Sequence, residues 1–290
     1  MSQERIHLVI IDPQNDFCDL PDAYLPAHVA GKARTAPSLP VTGAHADMLR
    51  IAALIDAAGN AITDISVTLD SHQHIDIAHP TFWRDARGDA IGAFTQITAA
   101  DVRAGRYVPR LEGALPRVLA YLDQLEVAGR YTHMVWPVHC EIGTWGHNVH
   151  RDVLVAYNRW EEATLRTVNK VVKGTNPWTE HYSAVRAEVP DPADAATELN
   201  AAFIAQLREA DRILITGEAG SHCVKATTEH IAEQLGAQRL TLLVDCMSPV
   251  GGFEPQYRAF IEAMRARGAT IATSTDVLPT LQAALACAES

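Results

Sequence analysis

The sequence predicts an α/β fold: an open, mostly parallel six-stranded sheet with helices on both faces. Two observations carry that reading. Short aliphatic and β-branched runs alternate along the chain with longer amphipathic stretches, the pattern of strand–helix–strand units joined by right-handed crossovers. The residues able to do chemistry then fall at or just past the C-terminal ends of those runs, the edge where open parallel sheets bind ligands.

Taken in order, residues 7–11 read as a first strand that ends at Asp12, and a helix is predicted over 44–58. Residues 65–69 give strand two, ending at Asp70, and a long helix near 115–127 precedes strand three at 133–136. Helical pattern returns at about 149–162, before strand four at 169–172, which closes at Lys173. Residues 198–209 are predicted helical, 212–216 form strand five, and a helix follows over 224–235. Strand six lies at 240–244, and 270–273 is a candidate edge piece after a helix over 255–267. Five different predicted strands thus deliver Asp12, Asp70, Trp136 with His139, Lys173 and Cys223 towards one edge.

The chain has 290 residues, 48 % hydrophobic and 20 % charged, within reach of one large α/β domain. No internal repeat or low-complexity linker divides it, and the Pro/Gly-rich stretches at 21–43 and 188–196 read as surface loops. A single domain over 1–290 is expected. A net charge of −11 argues against nucleic acid or an anionic membrane as partner. No run is long enough to span a bilayer, and a strand-like segment within six residues of the start argues against a secretory signal. Five cysteines (18, 140, 223, 246 and 287), odd in number and irregularly spaced, predict no disulfide framework and a reducing cytoplasm.

Cys223 is the candidate nucleophile. The stretch Ile213-Leu-Ile-Thr-Gly-Glu-Ala-Gly-Ser-His-Cys-Val-Lys runs a strand through a Gly-bracketed turn into a helix. A thiol at that helix start is expected to favour the thiolate, and two glycines let backbone N–H groups crowd a reacting oxygen. Lys173 is expected to lower the thiol pKa further, while Asp12 serves as general base and then acid. Cys140 is a rival thiol, but its neighbours lack the Gly-x-x-Gly turn. Separately, Asp70-Ser-His72 and the His139 of Trp136-Pro-Val-His-Cys-Glu-Ile-Gly-Thr144 supply one carboxylate and two imidazoles, a common set for a divalent metal.

The segments Ile11-Asp-Pro-Gln-Asn-Asp-Phe17, Val172-Lys-Gly-Thr175 and Gly217-Glu-Ala-Gly-Ser-His-Cys223-Val resemble, in order, the three motifs of the nicotinamidase/isochorismatase family of cysteine hydrolases. The resemblance implies a catalytic triad of Asp12, Lys173 and Cys223 on an isochorismatase-like hydrolase fold. It implies a cis peptide at Glu218–Ala219 and an oxyanion hole made by the backbone N–H groups of Ala219 and Cys223. The Asp-x-His and Trp-Pro-x-His-Cys segments resemble the nicotinamidase branch, where such residues hold a metal that a pyridine nitrogen reaches. Isochorismatase-type relatives generally lack that set. Asp70, His72 and His139 are therefore the implied ligands of one divalent ion, zinc first and iron or manganese as alternatives. A further histidine often completes that site; His74 and His79 are both candidates, with His79 the closer match. Phe17 and Trp136 match aromatic residues that flank the nicotinamide ring, while Gln14 and Asp16 are candidates for orienting Lys173 or the first turn.

The implied reaction is hydrolysis of a linear carboxamide through a thioester, nicotinamide to nicotinate and ammonia in the leading reading. An isochorismatase-like or ureido/carbamoyl hydrolase is the alternative, and a silent binding protein the third. The expected partner is a small-molecule amide, with a homo-oligomer the family's common assembly. Three departures from the family pattern bear on the substrate: the segment at about 73–131, longer than in compact nicotinamidases and expected to form a cap-like insertion over or beside the crevice; Ser221 where nicotinamidases commonly carry Asp; and an extended loop before 197–200.

Overall fold

All six residues of Ile6–Ile11 (β1) are buried, because a central parallel strand is covered on both faces and so reads as an apolar run, interrupted here by His7. The computed structural model to which it belongs describes residues 4–288, with side chains described to residue 283. After β1 come α1 (Ala44–Ala58) and β2 (Asp64–Asp70), then β3 (Trp83–Asp85), β4 (Thr95–Ile97), α2 (Ala99–Arg103), β5 (Tyr107–Pro109) and α3 (Leu115–Ala128). The chain continues through β6 (His133–Val135), α4 (Arg151–Thr164), β7 (Asn169–Lys173), α5 (Ala201–Arg208), β8 (Arg212–Gly217) and α6 (Cys223–Leu235). It closes with β9 (Leu240–Leu243), α7 (Glu254–Ala266), β10 (Thr270–Ala272) and α8 (Ser274–Ala288).

Six strands form one sheet in the order β10-β9-β8-β1-β2-β7, every pairing parallel. The chain grows outward from β1 on one side and returns to its other side at β8. That reversal places a crevice beyond the C-terminal ends of β1 and β8, where Asp12 and the turn to Cys223 emerge. Alternation along β1 feeds two cores. Val9 and Ile11 face Phe203, Leu207, Val224 and Met264, whereas Leu8 and Ile10 face Met48, Ile51, Ile55 and Trp160. In α1 the buried Met48, Ile51, Ala52 and Ile55 follow the three-and-four spacing of one helix face.

The third expected strand does not join this sheet. Residues 133–135 pair antiparallel with β4, Thr95 opposite Val135 and Ile97 opposite His133, and the edge piece β10 takes the sixth place. A three-residue run carries no record of its partner, and the segment before it brings one of its own. That segment also contains β3 and β5, an antiparallel pair, and α2, started by a reciprocal capping box between Thr98 and Asp101. Ile77, Phe82, Trp83, Val118, Leu122 and Val135 bind these pieces into a third core.

No described helix is long and apolar enough to cross a membrane. Cys18, Cys140, Cys223 and Cys246 are buried and unpaired, as the irregular spacing predicts; the side chain of Cys287 lies outside the described residues.

Gly217 closes β8 at φ +111°, and a Cβ there would overlap the backbone of Ile11 on the neighbouring strand. Gly217→Ala is accordingly expected to cost at least about 2 kcal/mol, since both the left-handed φ and the close approach exclude a side chain. Urea unfolding of the variant checks this; an unshifted midpoint would show the approach to be slack.

Candidate active site

Asp12 is the first residue past β1 and adopts φ 44°, in the left-handed region that Asp tolerates better than most residues. Thr68, on the adjacent strand β2, fixes it twice. The Thr68 Oγ1 accepts the Asp12 N–H at 3.0 Å, and its hydroxyl donates to Asp12 Oδ1. Lys173 ends β7 directly opposite Asp70 in the sheet register. Its Nζ lies 2.9 Å from Asp12 Oδ2, 2.9 Å from Asp70 Oδ1, 3.0 Å from the His181 carbonyl and 3.6 Å from Cys223 Sγ. Cys223 opens α6, which brings its sulfur to the amine and the acid.

The turn before Cys223 contains the expected cis peptide between Glu218 and Ala219. The N–H of Gly220 is taken by the Ser248 carbonyl, and those of His222 and Val224 by the Ala219 carbonyl. The N–H groups of Ala219 and Cys223 are not used in these bonds and belong to the rim of the crevice.

Electrostatics corrects one expectation. Burial pushes the Cys223 thiol well above its usual value; Lys173 pulls it down, but Asp12 and Asp70 push it up again. The resting sulfur is therefore a thiol, because the ammonium is shared with two carboxylates, one more than it can neutralise. Burial opposes the charge on Lys173, yet the same two acids hold its pKa well above the ordinary lysine value. Burial likewise raises Asp12, with Lys173 opposing. The centre is a buried ammonium between two acids, with an uncharged thiol at its edge.

Beside it, ring nitrogens of His72, His79 and His139 lie within 4.8 Å of one another, all three residues buried. Asp70 Oδ2 sits 3.0 Å from His72 Nε2 and 3.4 Å from His139 Nε2. The structure brings His79 into this group, whereas His74 is exposed and pairs with Glu141 at 3.0 Å. On the outer side, His72 Nδ1 meets Asp76 Oδ2 at 3.1 Å and His139 Nδ1 meets the Pro137 carbonyl at 2.8 Å. With those nitrogens donating outward, the two Nε2 lone pairs face a carboxylate oxygen that is itself an acceptor. Such a concentration of acceptors requires a cation or extra protons. Burial alone would lower His72, but Asp70 and Asp76 raise it well above the usual imidazole value, a second sign that this point favours positive charge. The donor set, imidazoles with one carboxylate and outer carboxylate support, fits zinc, iron or manganese.

Phe17 and Trp136 line the same narrow crevice as Cys223 and His139. Phe17 packs edge-on to His139, ring centres 5.4 Å apart, and the Trp136 indole donates to the Tyr182 hydroxyl at 3.0 Å. Trp136 therefore reaches the crevice from the separate β4–β6 ribbon. Gln14 and Asp16 act one step back. Gln14 exchanges hydrogen bonds with the backbone of Asp70 at 2.7 and 2.8 Å, and Asp16 accepts the Cys140 N–H at 2.7 Å.

Sequence reasoning missed Glu180, which lines the crevice with one carboxyl oxygen accepting the His181 N–H and the other without a hydrogen-bond partner. Burial pushes its pKa up to about 7. It lies on the loop after β7 and carries no motif of its own. Thr68 was findable: it sits two residues before Asp70 and shares its face of β2.

No protein-family model and no curated protein matches the sequence. Among solved structures the chain is similar to a nicotinamidase/pyrazinamidase of Acinetobacter baumanii, at 18 % identity and a TM-score of 0.61 over 96 % of this chain and 100 % of that one. The yeast nicotinamidase, solved with the inhibitor nicotinaldehyde, matches at 20 % identity and a TM-score of 0.60, covering 92 % and 99 %. A pyrazinamidase of Pyrococcus horikoshii, solved with zinc, matches at 18 % identity and a TM-score of 0.51, covering 93 % and 99 %. These likenesses establish the fold.

Lys173→Met would leave Asp12 and Asp70 buried without their shared cation, an expected loss of about 3–5 kcal/mol at pH 7. Asp12, whose pKa burial already raises, then loses the ammonium that opposes the rise. Its share of the loss is thus largest above that raised value and shrinks as pH falls towards the unfolded pKa of about 4. Urea unfolding of the metal-free variant at pH 5 and pH 8 checks the sign.

Proposed function

We propose that the chain is a cysteine-dependent carboxamide hydrolase of nicotinamidase type, acting on a flat heteroaromatic amide. The observation that carries the reading is Lys173 Nζ, buried between Asp12 at 2.9 Å and Cys223 Sγ at 3.6 Å, with three convergent imidazoles beside it. Lines of support are the fold shared with nicotinamidases and pyrazinamidases and the two aromatic walls. An ion held by Asp70, His72 and His139, with His79 beside them, would supply a Lewis-acid anchor for a ring nitrogen of the substrate. Zinc is the proposed ion, on that donor set and the zinc in the Pyrococcus relative, with iron and manganese as alternatives.

The chemistry of the chain's own residues follows from a thiol at rest. As Sγ attacks the amide carbon, Asp12 takes its proton, and the C=O π pair becomes an oxyanion held by the N–H groups of Ala219 and Cys223. Asp12 then passes the proton to the amide nitrogen, the C–N bond breaks, and ammonia leaves a thioester on Cys223. Water adds to that thioester while Asp12 accepts one of its protons. The C–S bond breaks, the sulfur recovers the proton from Asp12, and the acid product departs. Lys173 keeps Asp12 and Asp70 in place throughout and offsets charge on the sulfur. Phe17 and Trp136 flank the ring and hold the amide carbon over Sγ. The 73–131 segment is proposed as a wall of the crevice, because it supplies His79. Four unpaired thiols suit a reducing cytoplasm.

Nicotinamide, pyrazinamide and a set of ureido compounds, assayed by ammonia release with and without chelator, test the reading. Cys223→Ala is expected to lower turnover by roughly a thousandfold or more, and metal analysis to find about one divalent ion per chain. Turnover of ureido compounds but no pyridine carboxamide would replace this reading with the isochorismatase-like alternative. The pH profile supplies a separate check. Asp12 must be ionised to accept the proton and burial raises its pKa, so kcat/KM is expected to fall as pH drops through that raised value. An acid limb unmoved by Asp12→Glu would exclude Asp12 as the base.

A further inference from the structure

Behind the oxyanion turn, on the side away from the crevice, lies a second pair of acids that the mechanism does not use. Glu218, whose peptide with Ala219 is the cis bond, is 0 % exposed, and Asp47 of α1 is 4 % exposed. Both carboxyl groups are held by the same residue, Ser248, and Glu218 Oε1 has no hydrogen-bond partner of its own. Two carboxyl groups brought to one serine and shut from water are stabilised when one of them carries a proton. Ser248, in the loop after β9, ties the pair to the turn. Its N–H donates to Glu218 Oε2 at 3.2 Å, its hydroxyl to Asp47 Oδ2 at 2.6 Å, and its carbonyl accepts the Gly220 N–H at 2.8 Å.

We propose that Glu218 and Asp47 are positioning residues: a buried acid pair that shares one proton and clamps the Glu218–Ala219 peptide so that the Ala219 N–H points into the crevice. The inference rests on the carboxamide-hydrolase reading of the same site. The surroundings hold the proton in place. Burial, then Asp47, raises Glu218 well above the usual carboxylate value, with Asp19 adding to it. Cys18 and Asp19 face the pair from the loop after β1, Tyr257 from α7, and Asp245 and Cys246 from the loop after β9. The cation that reaches the pair is Arg50, 2.8 Å from Asp47 Oδ1, which balances one negative charge. A second ionisation would set two carboxylates against each other directly behind the oxyanion donor. The clamp would open, and the donor would turn from the reacting oxygen.

Three measurements on the full chain test this. Glu218→Leu is expected to lower kcat for amide hydrolysis by about tenfold or more with KM within about threefold, the signature of a misplaced donor. Glu218→Gln keeps a donor towards Asp47 without a titrating proton. It is expected to restore most of the loss and to hold kcat level at alkaline pH where the wild type declines. Infrared spectra at pH 7 should show a protonated-carboxyl band that Glu218→Gln removes. An unchanged kcat in Glu218→Leu, a Gln variant as poor as Leu, or a band indifferent to Glu218→Gln would each overturn the proposal. Should Glu218→Leu fail to fold, the Gln pH profile and the infrared band decide. Should no carboxamide be turned over even by the wild type, the substrate reading falls while the infrared band still decides the pair.

Discussion

One buried ammonium organises the site. Lys173 stands at the end of β7 with Asp12 and Asp70 each 2.9 Å from its Nζ, all three side chains sealed from water. Taking such charges out of water costs several kcal/mol apiece, and they are tolerated only where each is paired and its remaining hydrogen-bonding capacity is filled. That requirement reaches outward. Asp12 is held by Thr68, Asp70 by Gln14 and by two imidazoles, and Lys173 donates further to the His181 carbonyl. Position in the sheet makes it feasible. β1, β2 and β7 are consecutive neighbours, so three strand ends set Asp12, Asp70 and Lys173 side by side without any loop having to find its way.

What was legible in the sequence follows from that placement. Asp12, Asp70 and Lys173 each terminate an apolar run, and the hydrophobicity that predicts the strand also locates its last residue. Cys223 announces itself through the two glycines, one of which has backbone packed where a side chain would go. Less legible was everything that depends on how a loop returns. Spacing alone does not separate His74 from His79, although the resemblance favours His79; the path that folds 73–79 back over the strand end turns one inward and leaves the other in water. The membership of residues 133–135 was hidden for the same reason, since a three-residue run pairs with whichever edge is offered. Glu180 had no signal because its burial is conferred by residues far away in sequence.

The protonation state of the thiol was illegible in a different way. A helix start and a lysine each argue for a thiolate, and both are present. The count of acids around that lysine decides otherwise, and this count exists only once three strands lie side by side. Charge bookkeeping of this kind also explains why two acid pairs can coexist on either side of the turn before Cys223. At the crevice an ammonium stands between the two members of the pair. Behind the turn no cation lies between Glu218 and Asp47, so a proton takes that place.

The imidazole cluster completes the electrostatic argument. Asp12 and Asp70 against Lys173 leave one negative charge unbalanced in a volume closed to water, a costly excess unless something positive stands near Asp70. Both faces of Asp70 are already committed, Oδ1 to Lys173 and Oδ2 to the His72 and His139 nitrogens. Positive charge on the Oδ2 side would draw Asp70 away from its claim on the ammonium, leaving more of Lys173 for Asp12 and the sulfur. On this view the cluster and the nucleophile are two ends of one charge-balanced chain of contacts, with Asp70 as the shared link. That is the physical reason a thiol can rest uncharged here and still be poised for a carbonyl.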